Sequence, residues 1–536
     1  MSYVSAPEPD ILCVTTRLHA AVCGAIEHTV CTMRDAHTAD VYLPWTYKNA
    51  QALALLGAPT ASPIMRDYDY PKLYGKYAPY EHQEQIAEFL TLHNRCYCFG
   101  GMGVGKTAAS IWATEYLFSI GELKKVLIVC TKTTMSPAWG DTLFMLAPSR
   151  AYTLLRGGRQ KRLDLCREGT AYHIINHDGI KTCIKELLAN QYDLIIVDES
   201  TAFKTATSDR WKHMNLLTKQ ARRVWLLTGS PTPKSPEDAY GQVKLVDPSK
   251  VPPFFSAWRG MVMQQVSMYK WEAKATARET VFNAMQPAIH IRKEDVLKNQ
   301  PPTFKVLREI EPTTEQKKLL DSLRKQEIIH TKDGGTVTPV HAAATLTKYM
   351  QIMLGAVYDD DGNVVDVDNT SRIAEVISLI EEGRASGIGE WDAPLGKSIV
   401  AVPYRHVLEQ YQITLTKAGY KVGVIHGGVA GGARDNVIRA FQNTQDIEVL
   451  LVIPDAIAHG VTLTAANTFV WCSPLVKPEI FQQANERMDR PGQTQVMTQA
   501  RLYGSTLERK YYAVMDSRVN WQSGLLSLYN EFINSI

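Results

Sequence analysis

The chain has 536 residues, 45% hydrophobic and 21% charged, ordinary globular values that set aside disordered and fibrous classes and leave room for several domains. A formal net charge of +3 excludes a globally basic body, so any nucleic-acid surface must be a local cleft. No apolar run approaches the roughly 18–20 residues of a membrane span, and nine scattered cysteines fit a reducing compartment better than a disulfide framework.

The first ten residues have neither a basic n-region nor an apolar h-region, so no secretory signal is expected and the cytoplasm is the expected location. Residues 1–75 carry no chemical motif. Cys13, Cys23 and Cys31, near His19, His28 and His37, lack the paired knuckle of a zinc site and read as buried structural thiols. Residues 40–57 read as a short strand and a capped helix. A Pro/Tyr-rich connector leads into residues 81–90, which are apolar at helical spacing. Apolar runs at 126–130, 172–176, 194–197 and 224–228 then alternate with helical stretches. Such runs suit parallel strands buried on both faces, with ligands at their carboxyl ends.

Residues 235–300 read as mostly helical and irregular, and Gln300-Pro301-Pro302 punctuates the end of the unit. A second alternation follows, with apolar runs at 398–402, 421–425, 449–453 and 468–471. Asp361-Gly362, between two short apolar runs, reads as a hairpin turn; an EF-hand loop would place glycine sixth and glutamate twelfth. The expected fold class is α/β, with two parallel-sheet lobes in tandem. Residues 1–75 form an N-terminal accessory region. Residues 76–305 form the first lobe, with a helical insertion at about 235–300. Residues 306–536 form the second, with a helical and hairpin insertion at about 310–395.

The chemistry begins at Gly100-Gly-Met-Gly-Val-Gly105-Lys106-Thr107, which matches G-x-x-x-x-G-K-[ST] between a strand-like run and a helical stretch. Gly100, Gly103 and Gly105 let backbone N–H groups approach phosphates, Lys106 reaches the β and γ phosphates, and Thr107 ligates Mg2+. Asp198 and Glu199 close the strand at 194–197. Alone they would be a solvated strand end; below a phosphate loop, Asp198 reads as a metal-shell group and Glu199 as the residue that positions or deprotonates the attacking water. Thr228-Gly229-Ser230-Pro231 closes another strand, where hydroxyls can sense the phosphate state. Arg487 and Arg490, on an expected helix after Gln483, share one face. Arginines in such a role are worth ~10³–10⁵ in rate.

The order of Gln83, the phosphate loop, Asp198-Glu199-Ser200, Thr228-Gly-Ser-Pro231, Gly460-Val-Thr-Leu463 and Gln483…Arg487…Arg490…Gly492-Gln493 resembles the Swi/Snf-related ATPases of helicase superfamily two, over about residues 76–515. Blocks at 131–139, 290–297 and 425–428, and Thr506-Leu-Glu508, are similar as well. The resemblance implies RecA-like lobes, ATP and Mg2+ as cofactors in a cleft walled by residues 100–107 and 483–493, and translocation on double-stranded or branched DNA. Gln83 would recognise adenine, with Gly460 and Gln483 lining the second-lobe face. Backbone contacts with DNA would fall to Lys132, Thr133 and Thr462. Two departures stand out: the acidic motif reads Asp198-Glu199-Ser200-Thr201 rather than Asp-Glu-x-His, and Asp455-Ala-Ile-Ala-His459 replaces a frequent glycine pair. With no chromatin-reader domain evident, the compact form looks bacterial or viral. A monomer is expected, with a protein partner for the N-terminal region a further expectation and no membrane. The alternatives are a strand-separating or annealing helicase, an RNA track, and a non-translocating ATP-binding scaffold.

Overall fold

Near-continuous apolar runs make strands that must be covered on both faces. The structure, a computed structural model, places them in two wholly parallel sheets. It describes residues 3–72, 78–101, 103–233, 235–267, 271–296, 301–332, 339–358, 363–386, 396–429, 431–457, 461–474, 478–490 and 492–516. The chain divides into two compact units, Met1–Lys298 and Asn299–Ile536.

The first unit opens with an antiparallel sheet of β1 (Tyr3–Glu8), β2 (Ile11–Thr16), β3 (Val30–Met33) and β4 (Ala39–Pro44), in the order β1-β2-β4-β3. Leu12, Val14, Val41 and Leu43 pack on Val22 of the helix His19–Ala25 and Leu53 of the helix Tyr47–Leu55. Thr46 caps the latter, its hydroxyl accepting the Asn49 N–H. The strand and capped helix at 40–57 are present as read, but three further strands join them. β3 is exposed along its whole length and so has no apolar period to read. Cys13 is buried, whereas Cys31 rides on β3 and is exposed, which corrects its reading as a buried thiol.

The central sheet of this unit contains β5 (Arg95–Gly100), β6 (Val126–Cys130), β7 (Tyr152–Leu154), β8 (Tyr172–Asn176), β9 (Leu194–Asp198) and β10 (Arg223–Thr228). A small hairpin, β11 (Met263–Gln265) and β12 (Trp271–Ala273), precedes its last strand, β13 (Ala288–Ile291). The order is β13-β5-β10-β9-β6-β8-β7. Alternate residues feed two cores: Tyr97, Leu127, Ile195 and Leu226 enter one, Cys98, Ile128, Ile196 and Leu227 the other. At the amino end of β5, Arg95 donates to the carbonyls of Thr218, Ala221, Leu245 and Val246, tying down the ends of two helices. The segment 235–300 holds the helices Ala239–Val246, Phe255–Val262 and Ala277–Ala284, yet β13 extends the sheet beside β5. Three half-buried residues and the exposed His290 give β13 no apolar run of its own; pairing with β5 makes it a strand.

The second unit pairs β14 (Thr303–Glu309) with strands much later in the chain. Between them come the helices Thr314–Lys332, Pro339–Leu354 and Thr370–Ser386 and the hairpin β15 (Ala356–Tyr358) and β16 (Val364–Asp366). The turn residues Asp361 and Gly362 lie outside the described residues. β17 (Lys397–Ala401), β18 (Val422–Ile425), β19 (Val449–Val452), β20 (Ala466–Trp471) and β21 (Met497–Tyr503) complete a sheet ordered β14-β21-β20-β17-β19-β18. The same alternation recurs, with Ile399, Leu450 and Phe469 in one core and Val400, Leu451 and Val470 in the other. Among the described residues, no helix is long and apolar enough to cross a membrane.

Candidate functional site

In the first unit β5, β10 and β9 are neighbours, with Thr228 opposite Phe99 and Asp198 opposite Leu227. The loops that follow these strands therefore share one edge of the sheet, the place where parallel sheets bind ligands.

The loop after β5 turns through Gly103 (φ +81°) and Gly105 (φ +83°) into the helix Lys106–Ser119. A Cβ on Gly105 would fall 2.0 Å from the Gln83 Nε2, so the close approach requires glycine. The helix has no side-chain cap and no acidic residue in its first turn. Its leading N–H groups and the positive end of its dipole form an anion cradle. Lys106 Nζ donates to the carbonyls of Gly100 (2.6 Å) and Gly101 (3.1 Å), which holds the ammonium against the loop. Thr107 is half-buried in the first helical turn. These groups fit a magnesium-bound polyphosphate: amide donors and a lysine for the phosphates, with the Thr107 hydroxyl and an acidic strand end for the cation.

The loop is gripped from behind. Gln83 accepts the Tyr80 N–H (3.1 Å) and donates to the Val104 carbonyl (3.4 Å). His82 Nε2 donates to the same carbonyl at 3.0 Å while its ring stacks on Tyr80. Burial lowers the His82 pKa, which keeps the ring neutral and suited to donating a single proton.

At the end of β9, Asp198 accepts hydrogen bonds from the Trp139 Nε1 (3.0 Å) and the Glu199 N–H (3.1 Å), so its carboxylate is aimed. His177 Nε2 donates to the Asp198 carbonyl at 2.9 Å, and burial lowers its pKa as well. Glu199 itself has φ +52°, a left-handed conformation that is costly for a residue with a Cβ. It reverses the chain into the turn Ser200–Phe203. The sequence carries no signal for His82 or His177, because each acts across the fold rather than within a motif. Lys132 is exposed in the turn after β6, where the Thr133 hydroxyl pairs with that of Thr131 at 3.0 Å. A cavity of about 780 Å³ at this end of the sheet is lined by Phe99, Pro231, His290 and Arg292, but not by Lys106 or Thr107.

In the second unit Gln483 lies on the helix Pro478–Asn485, its buried Oε1 accepting no hydrogen bond from any described residue. That helix stops before the arginines, which corrects the reading of Arg487 and Arg490 on one helical face. Arg487 N–H donates to the Ala484 carbonyl (3.1 Å) in a tighter turn, and Arg490 stands before Pro491, where the helical conformation is disfavoured. The loop is sewn to the stretch before β20. Leu463 N–H donates to the Arg487 carbonyl (2.9 Å), Arg490 Nη1 to the Thr462 hydroxyl (3.0 Å), and Gln493 Nε2 to the carbonyls of Ala466 (2.8 Å) and Met488 (3.3 Å). Arg487 is 3% exposed. Gly460 lies outside the described residues.

Comparison with known proteins adds to this geometry. The SNF2-related domain model matches residues 81–354, just over half of the chain, and the helicase conserved C-terminal domain model matches residues 379–492. The SWI/SNF-related matrix-associated actin-dependent regulator of chromatin subfamily A-like protein 1 of Xenopus laevis is 23% identical over 433 residues, 79% of this chain and 41% of that protein. The DNA annealing helicase and endonuclease ZRANB3 of Homo sapiens is 24% identical over 455 residues, 80% of this chain and 38% of that protein. The chain thus spans about two fifths of the length of these relatives. A putative protein p41 of Acyrthosiphon pisum secondary endosymbiont phage 1 is 24% identical over 440 residues, 78% of this chain and 90% of that protein. Among solved structures, the Sulfolobus solfataricus SWI2/SNF2 ATPase core in complex with dsDNA aligns with a TM-score of 0.41 and 18% identity, covering 87% of this chain and 96% of that one.

Proposed function

This chain belongs to the SNF2-related family, and on that premise we propose that it is an ATP-driven translocase acting on double-stranded or branched DNA. The observation that carries the reading is the uncapped helix start behind Gly105, with Lys106 held beside it on the same sheet edge as Asp198 and Glu199. We assign the phosphates of ATP to the loop glycines Gly100, Gly103 and Gly105 and to Lys106, the Mg2+ shell to Thr107 and Asp198, and water positioning to Glu199. Bound Mg2+ would supply positive charge against the β and γ phosphates. Arg487 and Arg490 would stabilise charge during phosphoryl transfer, and Gln83, Gly460 and Gln483 would help hold the nucleotide. Lys132, Thr133 and Thr462 remain our candidates for DNA contact. The bond from Arg490 to Thr462 gives the last of these a second duty within its loop.

The test is ATP turnover with single-stranded, duplex, forked and four-way DNA and with RNA. Duplex or branched DNA should stimulate hydrolysis most, and Lys106→Ala and Glu199→Gln should each lower turnover by at least about a hundredfold. Turnover unchanged in both variants would defeat the site assignment. Similarity to a protein named a DNA annealing helicase favours one second reading, strand annealing. Re-formation of duplex from protein-coated single strands, without displacement of a tailed strand, would support it.

A further inference from the structure

A buried polar bridge joins the acidic turn to the loop after β10. Ser200 and Gln242 are both 0% exposed. Ser200 Oγ donates to the Gln242 Oε1 at 2.8 Å, and the Gln242 Nε2 donates to the carbonyls of Pro231 (2.6 Å) and Asp238 (3.0 Å). The amide orientation is fixed by these partners: two carbonyls require the N–H₂ on their side, which leaves the oxygen for the serine. The backbone holds the same junction closed. A Cβ on Gly241 would fall 2.4 Å from the carbonyl oxygens of Phe203 and Lys204. The Gly241 N–H donates to Lys204 (3.2 Å), and the Trp211 Nε1 donates to the Gly241 carbonyl (2.8 Å).

An apolar side chain of similar length would fill the volume but take this partner from the Ser200 hydroxyl and from the Pro231 and Asp238 carbonyls, so the site calls for glutamine by its bonds rather than by its bulk. What the amide adds is a connection. It reaches from the residue next to Glu199 to Pro231, in a loop that closes the neighbouring strand. We infer that Gln242, with Ser200, is a positioning residue that couples the Thr228–Gly229–Ser230–Pro231 loop to the setting of Glu199. A shift of that loop draws on the Gln242 amide, the amide draws on Ser200, and Ser200 turns the residue before it. Because Glu199 already sits at φ +52°, a small rotation there re-aims its carboxylate. This role rests on the ATPase reading given above.

The experiment compares the wild type with Gln242→Met, which keeps length and loses the polar atoms, and Ser200→Ala, which removes only the hydroxyl. Amide hydrogen exchange on the nucleotide-free full chain reads the bridge directly. Gly229, Ser230 and Thr232 should exchange about tenfold faster in both variants. With duplex DNA, kcat for ATP should fall about tenfold while KM stays within about twofold. Unchanged exchange at these amides in folded Ser200→Ala overturns the bridge, and unchanged kcat in either folded variant overturns the coupling. A wild type that does not hydrolyse ATP would defeat the ATPase reading instead, and the exchange measurement would still decide whether the bridge holds the loop.

Discussion

Gly105 concentrates the demands of the phosphate loop in one residue. Its φ of +83° costs an L-residue about 1–2 kcal/mol, and a Cβ there would drive Gln83 away from the Val104 carbonyl. Gly105→Ala should therefore leave the fold intact but weaken binding of a fluorescent nucleotide at least tenfold, about 1.4 kcal/mol. An affinity within twofold of the wild type would show that the cradle does not depend on this approach. The residues legible in the sequence are those that chemistry forces into close spacing: Gly100 to Thr107, Asp198 with Glu199, and Arg487 with Arg490. His82, His177 and Gln242 were not legible, because each meets its partner only after strands or helices distant in sequence are laid side by side. Glu508 shows the converse. It stands in a family-like block, yet its carboxylate is occupied by Arg372 in the interior.

Among elements, the strands apolar on both faces could be read almost to the residue, since nothing else suits such a run. β3 and β13 could not, one being exposed and the other mostly half-buried. The end of the helix Pro478–Asn485 was missed because a spacing of three residues reads as helical even where the chain has left the helix. Helix packing in the second unit depends on an ion pair. Arg372, on the helix Thr370–Ser386, is 2% exposed and bonds both oxygens of Glu508, which is 0% exposed on the helix Thr506–Asp516. Arg372→Met should cost about 3–5 kcal/mol, because it strands a buried carboxylate. Adding Glu508→Met should restore much of that loss. Urea unfolding of the single and double variants checks this, and a single-variant cost under about 1 kcal/mol would contradict it.

For the whole molecule, acid sensitivity follows from histidines folded in their neutral form. His173 accepts the Tyr192 hydroxyl proton (2.6 Å) and donates to the Glu168 carbonyl (3.1 Å). Burial first, and then the Lys125 charge, push its pKa down to about 4 from 6.5. The unfolded chain takes up a proton below about 6.5 that the folded chain refuses until about 4. The stabilisation is thus complete above 6.5 and is lost as pH falls, by roughly 3 kcal/mol at the acid end. Denaturation of the wild type and His173→Gln should show their stability difference shrinking from pH 7 to 4.5; a constant difference would rule this out. Strand order carries a consequence for synthesis. In the first sheet, the last strand to arrive, β13, ends at Ile291, so that sheet can close early on the ribosome. In the second, β14 pairs with β21, with Thr303 opposite Met497. Its partner emerges almost two hundred residues later, and throughout that interval β14 is a waiting edge for chaperones to shield.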